Sequence, residues 1–200
     1  MLFRSAVANG ASGLLIQNRD DYDINYFDLS AANSYGMFAA RYPGALGNSI
    51  KVSLWASANA TAYADWTYAA EFNSAPGTSV YAGNVNGAND EMHIIVLDED
   101  GKFTGVANTV LEKFPYLSKA FDARNDDGSS NYYVNVINDR SRYIYMINKA
   151  LNSNGVANTT TWGTPASNTT FSEGLTEYTA SLKNGADGYP TDADLVLAYD

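Results

Sequence analysis

The sequence predicts an α+β fold, a two-layer α/β sandwich whose mainly antiparallel sheet is covered by helices, and three observations lead there. Ile50-Lys51-Val52-Ser53-Leu54 alternates apolar and polar residues at period two, the pattern of a strand with one buried face. Met92 to Leu97 is a largely aliphatic run that meets Asp98-Glu99-Asp100-Gly101, turn residues after which Lys102 to Val106 would return antiparallel. Segments with helical spacing, each opened by a capping Asp or Ser, alternate with these strands.

The elements follow in order. Leu14-Leu15-Ile16, after the glycine turn at 10–13, reads as a short strand, and the acidic stretch Asp20, Asp21, Asp23 as a solvated loop. Asp28 or Ser30 caps a helix in which Ala31, Ala32, Tyr35, Phe38 and Ala39 recur near helical spacing until Pro43-Gly44 ends it. Asp65 to Phe72 is compatible with helix or strand, because Trp66, Tyr68 and Phe72 suit both. Asn108 or Thr109 caps a short turn through Leu111-Glu112-Lys113, and Pro115 stops any helix there. Ser129 or Ser130 caps a helix through Tyr133, Val134 and Ile137, and Tyr143 to Ile147 is a strand. Asn152 to Ser172, rich in Asn, Thr, Ser and Gly, reads as a long surface loop, and Leu175 to Leu182 as a return strand. Thr191, with Asp192 and Asp194 behind it, opens a helix that Asp200 cuts short, which predicts a fragment of a longer protein.

Composition narrows the function classes. In 200 residues, 46% hydrophobic and 13% aromatic, there is material for one good core. A formal charge of -10 with no basic cluster opposes nucleic-acid binding, which relies on Lys and Arg to displace counterions. Without cysteine there is no disulfide, thiolate metal site or thiol nucleophile. Met1 to Gly13 lacks the apolar stretch of a signal peptide, and the longest aliphatic run, Ile94 to Leu97, is far too short for membrane insertion.

Motifs for chemistry are sparse. His93 is the single histidine and lies inside an apolar strand, where a packed or edge-exposed structural ring is the better reading. The nucleophile elbow, phosphate loop, dinucleotide fingerprint and zinc-protease motif are all missing. Asp98-Glu99-Asp100-Gly101 and Asp126-Asp127-Gly128 resemble the start of a calcium loop. The first has Thr109 where the bidentate Glu belongs, so turn chemistry explains it better. Asn59-Ala60-Thr61, Asn158-Thr159-Thr160 and Asn168-Thr169-Thr170 fit a glycosylation sequon at the frequency that this Asn- and Thr-rich composition gives by chance. No catalytic, cofactor-binding or metal-ligating residue is therefore assigned. Two rivals remain open: a carbohydrate- or receptor-binding module using the abundant aromatics, and an enzyme built on paired carboxylates.

One stretch is more specific. Ala40-Arg41-Tyr42-Pro43-Gly44-Ala45-Leu46-Gly47-Asn48-Ser49-Ile50-Lys51-Val52 resembles a passage of contractile bacteriophage tail sheath proteins, where Tyr-Pro-Gly and then Gly-Asn precede an alternating strand. Ser74 to Ser79, Asn89 to Gly101, Val110 to Phe114, and Gly128 to Tyr133 with Val136-Ile137-Asn138 are similar to that family in the same order. The likeness runs from about Phe27 to Asp200, and Asn184-Gly185-Ala186-Asp187-Gly188 looks like the entry into the family's next domain. It implies an N-terminal strand and loop region at 1–26, a middle α/β domain at 27–183 and the start of another domain at 184–200. It also implies a non-enzymatic virion protein made in the host cytoplasm, needing no cofactor and no metal. Such subunits form hexameric rings, stack as a helical sleeve around the tail tube protein, and contract to drive the tube through the host envelope. The baseplate and tail terminator are the further partners of such a sleeve, while nucleic acid and membrane are not. A phage-derived injection machine would share all these features except the virion.

Overall fold

The computed structural model describes residues 4–9, 12–27, 35–147, 161–172 and 176–188. Seven strands are present among them: β1 (Ser5–Val7), β2 (Phe38–Pro43), β3 (Ile50–Trp55), β4 (Glu91–Asp98), β5 (Thr109–Ser118), β6 (Ile144–Met146) and β7 (Glu177–Ser181). Their helices are short: α1 (Arg19–Asn25), α2 (Ala60–Tyr63), α3 (Val80–Asn84) and α4 (Tyr133–Arg140). The strands divide into two antiparallel sheets, ordered β1-β2-β6 and β5-β4-β3-β7. The α+β class and the mainly antiparallel sandwich expected from the sequence are what the chain adopts.

Side-chain alternation explains the layering. Ile50, Val52 and Leu54 of β3 and Met92, Ile94 and Val96 of β4 join Phe38, Ala40, Ile144 and Met146 in the main core, which α4 completes with Tyr133, Val134 and Ile137. The alternate residues face outward and are covered too. Trp55, Ile95 and Leu97 are roofed by Tyr63 and Trp66 from the segment after β3, and Ala39 and Tyr145 are roofed by Tyr22 of α1 with Leu14 and Ile16. Burial on both faces is why β4 reads as an almost unbroken aliphatic run.

Several expectations need correction. Phe38 to Pro43 is a strand and not the end of a helix, because Ala39 pairs with Tyr145 and Ala40 with Ile144, so tertiary pairing overrides the alanine-rich composition. Residues 28–34 of that expected helix, its Asp28 or Ser30 cap included, lie outside the described residues. Asp20, Asp21 and Asp23 belong to α1: Asn18 caps its first turn, Asp20 and Asp21 sit at its positive end, and Arg19 pairs with Asp23 one turn on. At Leu14 to Ile16 there is a single bridge, from Leu14 to Ser5. Asp65 to Phe72 forms turns and a 3-10 helix at Ala69–Glu71.

The hairpin after β4 is real, but its second strand starts at Thr109, so Leu111 to Lys113 are strand and Lys102 to Val106 are loop. The helix expected after Ser129 is α4, whose N-cap is Tyr132 without a side-chain bond, while Ser130 Oγ accepts from the Tyr132 amide at 3.3 Å. Strand β6 falls inside the expected 143–147, and β7 inside 175–182, pairing with β3 from Lys51↔Ser181 to Trp55↔Glu177. Within the expected loop, residues 161–172 are packed against the body through buried Trp162, Ala166 and Phe171, and 152–160 lie outside the described residues. The helix expected at Thr191 lies outside them as well.

Candidate functional site

Three of the segments that carry the sequence resemblance converge at one junction. After β2, Gly44 turns at φ 97°, a region that favours glycine, and leads into a 3-10 helix at Ala45–Ser49. Beyond β7 the chain leaves β3 and continues along β1: Val7 and Lys183 exchange backbone bonds of 2.9 Å each, and Arg4 donates to Ala186 O at 2.9 Å. Asn48 then clasps the same segment. Its Nδ2 donates to Gly185 O at 3.0 Å and its Oδ1 accepts from Gly185 N at 2.8 Å. One residue pair further out, Asp187 Oδ1 accepts from Ala45 N at 2.8 Å and so caps the 3-10 helix. Gly185 is required by space: a Cβ there would stand 2.4 Å from Gly44 O. Segment 182–187 therefore ties the two sheets together and is held from both sides. Asn48→Ala leaves both polar groups of Gly185 without their partners, and hydrogen exchange at Gly185 should accelerate about tenfold or more while the β4 amides are unaffected.

The neighbouring loop is braced from Asp98, fully buried at the end of β4. Its Oδ1 accepts from Ser49 Oγ at 2.6 Å, and its Oδ2 from Phe103 N, Thr104 N and Thr104 Oγ1 at 2.9, 2.8 and 2.9 Å. Burial alone pushes this carboxyl up, but the bonds from Ser49, Thr104 and Phe103 outweigh it and hold it below the usual carboxylate range. The loop so held places the Phe103 ring 5.2 Å from Tyr42 and 5.3 Å from Tyr143, so that Asp98, the loop and the Tyr-Pro-Gly turn form one connected unit. Both Asp98 oxygens thus accept from Ser49 and the turn itself. Asp127 Oδ1 accepts from Ser129 N at 2.9 Å within its own turn. Among the described residues no group of three or more His, Asp or Glu is arranged to hold a metal ion.

His93 is a structural ring at a bulge. The β4–β5 register shifts between Met92 and Ile94, and Tyr116 adopts φ 53°, so its amide leaves the ladder and donates to His93 Nδ1 at 3.1 Å. Nδ1 being the acceptor, the proton lies on Nε2, which donates to Ser74 O at 2.8 Å. Phe72 stacks on the ring at 4.4 Å. Burial pushes the imidazole below its ordinary value, against the opposing effect of the Ser74 and Met92 carbonyls. A His with a depressed folded pKa binds its proton more readily when unfolded. Its contribution is complete above pH ~6.5 and declines as pH falls from there toward the folded value. Between pH 7.5 and about 5.5 the melting temperature should drop. His93→Asn, which keeps an acceptor for Tyr116, should flatten that slope in a thermal scan. Glu91, whose carboxyl is raised chiefly by burial, acts in the opposite sense and at lower pH.

Sequence reasoning missed two features. Lys119 is 1% exposed, donates from Nζ to Ala56 O at 2.6 Å and Asn89 O at 2.8 Å, and lies 5.5 Å over the Trp162 ring, tying three segments together. A buried lysine inside a loop has no distinguishing spacing. The second is an open cleft of about 690 Å³ between α3, the bulge of β5 and the 124–131 turn. Tyr116 and Pro115 line one side of it, Tyr81 and exposed Val80 another, and Glu91 contributes a half-buried carboxylate. Sequons at Asn59 and Asn168 serve local structure: Asn59 Oδ1 caps α2 through Thr61 N and Ala62 N, and Asn168 sits at φ 53°. Asn158 is outside the described residues. All three tryptophans are buried, so they offer no sugar-stacking face.

No family model matches the chain. It is similar to the tail sheath protein of Salmonella phage ViI, 28% identical over 109 residues. That match takes in 54% of this chain and 14% of the phage protein, so the chain corresponds to a small part of the relative.

Proposed function

We propose that this chain is a force-carrying domain of a contractile tail sheath. The observation that carries the reading is the likeness to the ViI tail sheath protein, joined to the fact that the Tyr-Pro-Gly turn, Gly47-Asn48 and the 184–188 segment form one hydrogen-bonded clasp. In a sheath, subunits hold a metastable lattice and shift together to a shorter one, so each domain must rotate as a body about its links without refolding. A clasp that spreads tension from one exit segment into both sheets suits that task. Residues 27–183 then act as the middle domain, with 1–26 leading in and 184–200 leading out. Subunits assemble as hexameric rings around a tube protein in the virion tail, meeting a baseplate and a terminator at the ends. The work is mechanical, and the consumed polar groups of His93 and Asp98 accord with a domain that carries out no reaction.

The test is assembly. Protein expressed from the intact gene and viewed by negative-stain electron microscopy should form striated tubes longer than a single particle. Dispersed particles under every salt condition that assembles other tubular proteins would overturn the reading.

A further inference from the structure

We infer that the cleft between α3 and the β5 bulge is a binding site for a neutral, N-acetylated saccharide, a role beyond the sheath reading and independent of it. The walls are preorganised. Tyr116, held at φ 53° in the bulge, is fixed by its phenol against Ser74 Oγ at 2.9 Å and by its ring edge against His93 at 4.7 Å. A bulky residue with positive φ is uncommon, and a bulge that re-aims such a ring occurs beside functional sites. Asn131 Nδ2 donates to Tyr116 O at 2.9 Å and Asn125 Nδ2 to Ser129 Oγ at 3.0 Å, so these amides are spent in holding the wall.

Other polar groups of the cleft are available. Among the described residues, the Asn84 amide, the Arg124 guanidinium and the Asp126 carboxylate make no hydrogen bond or ion pair within the chain, and Glu91 uses only Oε2, on Gly77 N at 2.8 Å. Planar donors and acceptors beside tyrosine faces match the two faces of a pyranose: ring C–H groups lie on the aromatics while hydroxyls bond to the amide and carboxylates. Charge sets the class. Glu91, Asp126 and Asp127 outnumber Arg124, which disfavours phosphates and acidic sugars. Val80 and Pro115 give the rim apolar contacts suited to an acetamido methyl, and Val80 is 76% exposed.

Titration of the isotope-labelled full chain with triacetylchitotriose, followed by NMR, tests this. Shifts should concentrate at 79–84, 115–116 and 124–131, and Tyr81→Ala should weaken binding about tenfold or more. Asn84→Ala, at an exposed position, should weaken it about threefold or more with an unchanged melting temperature, which guards against a folding defect in the tyrosine variant. The inference is overturned by no shift at the cleft up to about 10 mM saccharide. It is equally overturned by binding that neither substitution weakens, by tighter binding of sialyllactose, or by a basic peptide occupying the cleft where the saccharide does not. Tube formation is read separately, so failure here leaves the sheath reading intact.

Discussion

Replacing Asp98 with alanine will cost on the order of 4 kcal/mol and lower the urea midpoint by roughly 1–2 M. The carboxylate accepts four hydrogen bonds in a fully buried position, and removing it leaves the buried Ser49 hydroxyl without its acceptor and frees the half-buried Phe103 and exposed Thr104 from the anchor that holds their loop. Each hydrogen bond to a charged acceptor contributes about 1.5–3 kcal/mol, and a donor left unpaired in the interior, as at Ser49, costs about 1–3 kcal/mol. Asp98→Asn should lose about half as much, because one oxygen still accepts while the amide nitrogen faces donors. Since the folded pKa is depressed, the stabilisation from Asp98 is present above pH ~4 and is lost as pH falls through the folded value. The variant's deficit measured by denaturation should therefore shrink in strong acid. A deficit that stays constant down to pH ~2 would contradict the charge-based account.

Trp66→Ala should be comparably damaging, at about 3–5 kcal/mol. The indole is 2% exposed, stacks on Phe72 at 5.5 Å, lies 6.1 Å from Trp55, and donates to Ser53 Oγ at 3.0 Å. Ser53 Oγ in turn meets Thr179 Oγ1 at 2.7 Å, so one tryptophan secures the roof over three neighbouring elements of the larger sheet. The alanine leaves a cavity and removes one donor from Ser53 Oγ, which keeps its bond to Thr179 Oγ1. Trp66→Phe refills most of the volume and should cost about 1–2 kcal/mol, mainly through the lost indole bond. Equal losses for the two variants would show that packing is not what Trp66 contributes.

How far the fold was legible depended on whether local pattern and tertiary pairing agreed. Ile50 to Leu54 and Met92 to Leu97 were readable because alternation and aliphatic content coincide with their places in the sheet. Phe38 to Pro43 was not, since Tyr35, Phe38 and Ala39 fit helical spacing while the decisive partners, Tyr145 and Ile144, lie about a hundred residues away. Lys102 to Val106 looked like a returning strand, and only the Asp98 carboxylate, drawing in the Phe103 and Thr104 amides, explains why it loops. The Tyr-Pro-Gly and Asn184-Gly185 segments were each visible as motifs. Nothing local says that Asn48 grips Gly185 across 137 residues. The cleft was illegible for a related reason: Tyr81, Glu91, Tyr116 and Arg124 come from separate elements, and the bulge that re-aims Tyr116 is set by a histidine on the opposing strand.

Helical reconstruction by cryo-electron microscopy of assembled tubes, before and after contraction, examines the central claim most directly. The account predicts that this domain keeps one internal structure in both lattices, with Asn48 still bonded to Gly185 and Asp187 to Ala45, and that only its orientation changes. Separation of those partners in either lattice, or tubes in which the domain is refolded, would contradict it.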